Sequence, residues 1–292
     1  MKFVITGASG QLARRAAELV LAAVDPRDLI LTTRTPAALA SFAARGVAVR
    51  PADFADARSL RAAFAGGERL LLVSATDLSQ RTTQHRAALD AAKAAGVRHV
   101  IYTSGLKPEP PNPAVVAPSH YATEQLLECS GFDWTILRNS LYADYQVPEA
   151  TQAIAIGALV HNRGTGRVAY VAREDCARVA AIALVADGHS GARYDVTGPE
   201  SYSAAELAVL YAELGGRRVA ERAVDDEDLV ASLVGSATGD DHLRYGAELV
   251  ASFGRSIREG YMSACTDTVM LLTGRPPRSL REMLEPLRKG GR

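Results

Sequence analysis

Three small residues near the start of the chain have the types and spacing to cradle a phosphate. Gly7, Gly10 and Ala13 form a G-x-x-G-x-x-A turn directly behind the apolar run Phe3-Val-Ile5. A tight turn out of a strand needs Gly7, close approach of a diphosphate needs the missing Cβ of Gly10, and close helix packing needs the small Ala13. The helix that opens behind the turn aims free N–H groups and the positive end of its dipole at the same point. Gly7, Ser9, Gly10, Gln11 and Leu12 are the first candidate ligand contacts. A glycine-rich turn alone is a weak signal; its weight comes from strand, loop and helix following in the required order.

Ligands of a doubly wound sheet lie beyond the carboxyl ends of its strands, so the loops at those ends are the next candidates. The second strand pattern runs into Thr32-Thr33-Arg34-Thr35, with no acid to hold a free ribose 2′-hydroxyl. The fork of Arg34 suits a 2′-phosphate by charge and by geometry, which favours NADPH/NADP+ as cofactor. Asp53 and Phe54 follow the third strand and suit either an adenine edge or an ordinary turn. Ser74, Ala75 and Thr76 follow the fourth strand, and Thr103 and Ser104 end the fifth. Small side chains there let backbone run close beneath a ribose, or serve packing alone.

The elements that must position these loops are legible in the hydrophobic pattern. Strand patterns over 3–5, 29–33, 47–50, 69–73, 97–103 and 133–137 alternate with helical patterns over 11–24, 36–44, 57–64, 79–95 and 119–129. That alternation implies α/β architecture, a Rossmann-like doubly wound parallel sheet with right-handed crossovers. Residues 1–150 read as an NADP(H)-binding domain. Residues 151–292 read mostly as a smaller, interleaved substrate lobe, with a late strand at 192–197 returning to the sheet. Within the lobe, 154–171 reads as a hairpin about Asn162-Arg-Gly-Thr-Gly166. Helices are expected over 174–186, 203–214 behind the capping box Ser203-Ala-Ala-Glu206, 225–235, 242–253 and 279–287, and an outlying strand over 217–224.

Composition narrows the function class. Over 292 residues, 33 Lys and Arg balance 33 Asp and Glu, so nothing draws the chain to nucleic acid or to a membrane surface. Cys129, Cys176 and Cys265 are scattered, without metal-ligand spacing, which suits a reducing compartment. The first strand leaves no room for a signal peptide, and no apolar run approaches a membrane span. The expected setting is cytoplasmic, the expected partner a small-molecule electron acceptor, with no metal and with homodimer formation left open.

Together, Ile5-Thr-Gly-Ala-Ser-Gly-Gln-Leu12, Thr33-Arg34, Asp53-Phe54, Thr103-Ser-Gly105, His120-Tyr-Ala-Thr-Glu124, Leu137-Arg-Asn-Ser-Leu-Tyr142 and Leu272-Thr-Gly-Arg-Pro-Pro277 resemble the atypical short-chain dehydrogenase/reductases, in particular the NmrA-like group. The resemblance covers nearly the whole chain. It implies an NADPH domain, a smaller C-terminal lobe, a cleft between them, and hydride transfer to an acceptor such as a quinone. It also admits a non-catalytic redox sensor, or a biosynthetic reductase or isomerase.

The wider superfamily places Tyr-x-x-x-Lys on the helix after the fifth strand, where tyrosine gives the proton. Here Val116 and His120 occupy those positions, and Ser104 stands near the usual serine. A ketone needs a positioned acid, whereas a quinone accepts hydride to give a delocalised phenolate that solvent protonates. Orientation and exclusion of water then matter more than acid–base residues. Candidate catalytic residues are His120, Ser104 and Tyr121. His120 suits a nicotinamide-ribose contact, a proton donor, or a plain helix-terminal histidine. Asn139, Tyr142 and Tyr145 follow the sixth strand and are candidate acceptor contacts, while Arg138 is expected to pair a carboxylate.

Overall fold

The computed structural model describes residues 1–235 and 240–288; the last positions assigned to the lobe, 289–292, lie outside the described residues. The first half alternates strand and helix: β1 (Phe3–Ile5), α1 (Gln11–Leu21), β2 (Leu29–Thr33), α2 (Ala40–Ala43), β3 (Ala48–Pro51), α3 (Ala57–Phe64), β4 (Arg69–Leu72), α4 (Arg81–Ala94), β5 (His99–Gly105), α5 (Ala117–Glu128) and β6 (Asp133–Asn139). There follow α6 (Gln146–Ile156), β7 (Ala158–His161), β8 (Arg167–Val168), α7 (Arg173–Val185) and β9 (Ala192–Val196). The chain ends in β10 (Tyr202–Ser203), α8 (Ala204–Gly215), β11 (Ala220–Ala223), α9 (Asp226–Val234), α10 (Asp241–Arg258), α11 (Thr268–Thr273) and α12 (Leu280–Leu284).

Seven strands form one sheet in the order β3-β2-β1-β4-β5-β6-β9, and every neighbouring pair in it is parallel. Order reverses between β1 and β4, the switch point where such sheets bind ligands. Both faces are covered, so β1, β2 and β4 are largely apolar and buried, and successive residues serve opposite faces. Phe3, Ile5, Leu31, Leu71, Ile101 and Leu137 pack with α1 and α7. Val4, Ile30, Leu70, Leu72, Val100, Tyr102 and Ile136 pack with α3, α4 and α5. A third core joins α6, α8, α12 and β7 through Ile154, Leu159, Leu207, Tyr211 and Leu284. No helix among the described residues is long and apolar enough to cross a membrane.

The hairpin expected over 154–171 does not form. Gln146–Ile156 is a helix ended by Gly157 at φ 76°. β7 pairs in parallel with β11, and β8 pairs antiparallel with β10. The chain does turn there, Gly166 N–H donating to Arg163 O at 3.0 Å, but the loop packs on α10 and its flanking strands pair elsewhere. Asn162 Nδ2 donates to Ala251 O at 2.8 Å and to Asp226 Oδ1 at 2.7 Å. A Cβ on Gly166 would meet Ile257 O at 2.1 Å, so this glycine is there for close approach. The helix expected from Ser119 begins at Ala117, with Pro118 in its first turn. Ser119 is not its cap; its hydroxyl donates to Val116 O at 2.9 Å. β5 and β6 run two residues past their expected ends, to Gly105 and Asn139, because they stay in register there. The Ser203–Glu206 capping box forms, as does the outlying strand, β11.

Candidate active site

The glycine turn is built by backbone constraints. Gly7 sits at φ 59°, a conformation that disfavours any side chain. Ala8 N–H donates to Thr32 O at 2.9 Å, and Gly10 N–H to Gly7 O at 2.8 Å. A Cβ on Gly10 would come within 3.2 Å of Gly7 O and fill the cradle. No side chain caps α1 and no acid stands in its first turn, so its N-terminal N–H groups are free for an anion. Gly7, Ser9, Gly10 and Gln11 are exposed around this point, whereas Leu12 is buried in the core. Thr33 Oγ1 donates to Ser9 Oγ at 2.9 Å, tying the turn to the end of β2. Arg34, one residue on, is exposed and makes no side-chain hydrogen bond among the described residues.

Around the rest of the strand ends, Asp53 Oδ1 accepts from Ala55 N–H at 3.0 Å, closing a local turn. Phe54 packs edge-on to His85. Ser74 N–H donates to Thr103 Oγ1 at 2.9 Å, joining the ends of β4 and β5. Ala75 is buried and Thr76 exposed.

Ser104 belongs to a closed knot. Its hydroxyl donates to Glu124 Oε1 at 2.6 Å. Arg138 Nε donates to the same oxygen at 3.1 Å and Nη2 to Glu124 Oε2 at 2.6 Å, in a bidentate fork. Glu109 adds a second carboxylate to Arg138. Glu124 is 1% exposed, so the pair is desolvated and held by its own geometry.

His120 sits in a second, different cluster. Arg81 Nη1 donates to His120 Nε2 at 3.2 Å. A guanidinium has only donors, so Nε2 accepts, and Nδ1 carries the proton that Tyr102 Oη accepts at 2.8 Å. The imidazole is thereby fixed neutral. Burial, then Arg81 and His85, hold its pKa well below the usual range. His85 is similar: Nε2 accepts from Ala75 N–H at 3.0 Å and Nδ1–H donates to Thr123 Oγ1 at 2.9 Å. Burial, aided by Arg81, pushes it down to about 3. Tyr121 is half-buried and makes no side-chain hydrogen bond among the described residues.

The third cluster lies beyond β6. Asn139 Nδ2 is 3.4 Å from the Tyr142 hydroxyl, which accepts from it, and Asn139 Oδ1 is buried without a partner. Burial pushes the Tyr142 hydroxyl above its ordinary range. Tyr145 is 63% exposed. The Arg173 guanidinium lies over both rings, 5.0 Å from the Tyr142 centroid and 5.4 Å from that of Tyr145. It donates to Asp144 Oδ1 at 3.1 Å and to Gln11 Oε1. Arg173 thus bridges the first turn of α7 to the first turn of α1, a position that sequence spacing did not disclose. Arg81 was missed as well; its only signal is a charged residue opening the helix behind Ser74–Thr76.

Sheet order, glycine turn and uncapped first helix define a Rossmann-like dinucleotide-binding protein. The chain belongs to the NAD(P)H-binding family, whose model matches residues 7–187, and within it to the NmrA-like atypical short-chain dehydrogenase/reductases. It is 32% identical over 283 residues to quinone oxidoreductase 2 of Escherichia coli, covering 97% of each chain. It is 29% identical over 280 residues to NAD(P)H azoreductase of Xenophilus azovorans, covering 96% of this chain and 95% of that one. The crystal structure of the Escherichia coli NADPH-dependent quinone oxidoreductase complexed with NADPH matches with a TM-score of 0.92 at 32% identity, over 98% of this chain and 99% of the other. Triphenylmethane reductase of Citrobacter sp., complexed with NADP(H), matches with a TM-score of 0.89 at 31% identity, over 98% and 100%.

Proposed function

We propose that this chain is a cytoplasmic NADPH-dependent reductase that delivers hydride to a quinone or a similar conjugated electrophile. The single observation that carries the reading is that the helix positions where ketone reduction needs its proton donor do not supply one. Val116 and His120 take the positions of the tyrosine and lysine. The Ser104 hydroxyl is committed to Glu124, and the His120 Nε2 lone pair faces Arg81.

The cradle at Gly10 and the free N-terminus of α1 fit a diphosphate. Gly7, Ser9, Gly10, Gln11 and Leu12 would surround it, with Arg173 across from them. Arg34 would hold a 2′-phosphate and Asp53 and Phe54 would border the adenine. Ser74, Ala75, Thr76, Thr103, Ser104 and His120 would line the nicotinamide half. Asn139, Tyr142 and Tyr145 would hold the acceptor, where the unpartnered Asn139 Oδ1 fits a ligand donor. When bound, the reduced nicotinamide supplies hydride. The protein orients the acceptor and excludes water, and the resulting phenolate takes its proton from solvent.

Anaerobic NADPH oxidation against quinones, azo dyes, enones and ketones tests this. Turnover with the conjugated acceptors and not with simple ketones is expected. Tight NADPH binding without oxidation by any acceptor would leave a sensor in its place.

A further inference from the structure

Three arginines are buried among the described residues, and two of them are neutralised locally. Arg69 pairs with Asp187, and Arg138 with Glu124 and Glu109. Arg81 is 6% exposed and has no carboxylate within 4 Å among the described residues. Its Nε donates to Ala75 O at 2.7 Å, and its Nη1 reaches Ser119 Oγ at 3.3 Å and His120 Nε2 at 3.2 Å. Its Nη2 makes no hydrogen bond among the described residues. None of the partners is negative. The buried Tyr102 hydroxyl is neutral, since burial raises its pKa. Asp77 is exposed and spends its carboxylate on Ser79 and Gln80.

An uncompensated cation in a desolvated place is half of an ion pair. Arg81 lies at the carboxyl edge of the sheet, between the loop after β4 and the first turn of α5. There His120 stands so close to β5 that a Cβ on Gly105 would be 3.5 Å from its Cδ2. We propose that the missing half is the acceptor: Arg81 holds the negative oxygen that develops on it, through Nη2, and selects acceptors whose bound or reduced form is an enolate or phenolate. This rests on the reductase reading. Two electrons and a hydrogen nucleus pass from the reduced nicotinamide to the acceptor, and the C=O π pair moves onto oxygen. The nicotinamide is oxidised, and solvent later protonates the oxygen. Arg81 gives no proton, since a guanidinium stays charged; it stabilises charge.

Calorimetry on the NADP+-saturated protein tests the proposal with two probes. One is 2-hydroxy-1,4-naphthoquinone, an anion at neutral pH, and the other is neutral 2-methyl-1,4-naphthoquinone. Wild type should bind the anion at least about tenfold tighter, as one charge-assisted bond allows. Arg81→Gln should abolish that preference with NADP+ affinity kept, and Arg81→Lys should keep part of it. The cationic nicotinamide attracts the anion in every variant, so the difference between variants isolates Arg81. Should Arg81→Gln fail to fold, the Arg81 Nε–H resonance of the wild type reads the same contact: it should shift with the anion and not with the neutral quinone. Equal affinities, or an Arg81 resonance indifferent to the anion, would overturn the proposal. Oxidation of NADPH by the neutral quinone without anion preference sinks Arg81 alone. Arg81-dependent anion binding without any NADPH oxidation sinks the reductase reading and keeps the anion site.

Discussion

Arg138 and Arg81 are equally buried at the carboxyl edge of the sheet, one in the last residues of β6 and one opening the helix after β4, yet their surroundings are opposite. Arg138 meets two carboxylates and the knot it ties with Glu124 also consumes the Ser104 hydroxyl. Arg81 meets a carbonyl, a hydroxyl and a neutral ring. The first arrangement is complete without a ligand and belongs to the scaffold. The second has no counter-ion among the described residues. Burial alone therefore does not distinguish structural from functional charge; the presence of a local counter-ion does.

The largest expected effect breaks the closed side. Glu124→Ala leaves Arg138 without its buried partner and should cost about 3–5 kcal/mol in urea unfolding. A cost below about 1 kcal/mol would show that the knot is not structural. Next comes Arg34, unpaired like Arg81 but exposed. Wild type should bind NADPH at least about tenfold tighter than NADH, and Arg34→Ala should remove about 1.5–3 kcal/mol of that preference by calorimetry. Salt near 1 M should shrink the Arg34 effect and spare that of Arg81, because screening acts on exposed charge. Equal affinities for the two cofactors would sink the assignment.

On the open side, Arg81→Met orphans no counter-ion, only the neutral acceptors Ala75 O and His120 Nε2, so it should cost less than Glu124→Ala, at most about 1–3 kcal/mol. The same change should lower kcat/KM with a neutral quinone by about tenfold. A stability loss comparable to that of Glu124→Ala would return Arg81 to the scaffold. The smallest effect is in the pH dependence of stability. His85 stays neutral in the fold to about pH 3, and His120 is depressed too, whereas both charge near their ordinary range when unfolded. Their contribution is complete above about pH 6.5 and is lost as pH falls below it, at up to about 1.4 kcal/mol per unit for each ring. Burial is the larger cause and remains, so Arg81→Met should keep the slope just below pH 6.5 and make it level off at a higher pH than in wild type. Levelling off at the same pH in both proteins would show that Arg81 does not act on either ring.

The parts that were readable in the sequence are those carried by local pattern. The Gly7–Ala13 turn, the alternation of elements, the capping box at Ser203 and the carboxylate pairing of Arg138 all follow from short-range spacing or residue type. The Arg81–His120 contact joins positions on different helices, and only the packing of α4 beside α5 brings them together. Asn162-Arg-Gly-Thr-Gly166 misled for the same reason. Its turn forms, but the flanking strands pair with distant β10 and β11, and Gly166 is also required by the backbone of α10, far along the chain.

The most direct test of the mechanism is anaerobic NADPH oxidation by a neutral quinone in wild type and His120→Ala. A fold that orients the acceptor and leaves protonation to solvent predicts a loss in kcat/KM of less than about 10²-fold. A loss beyond about 10³-fold, with NADPH affinity unchanged, would contradict it and make His120 the proton donor.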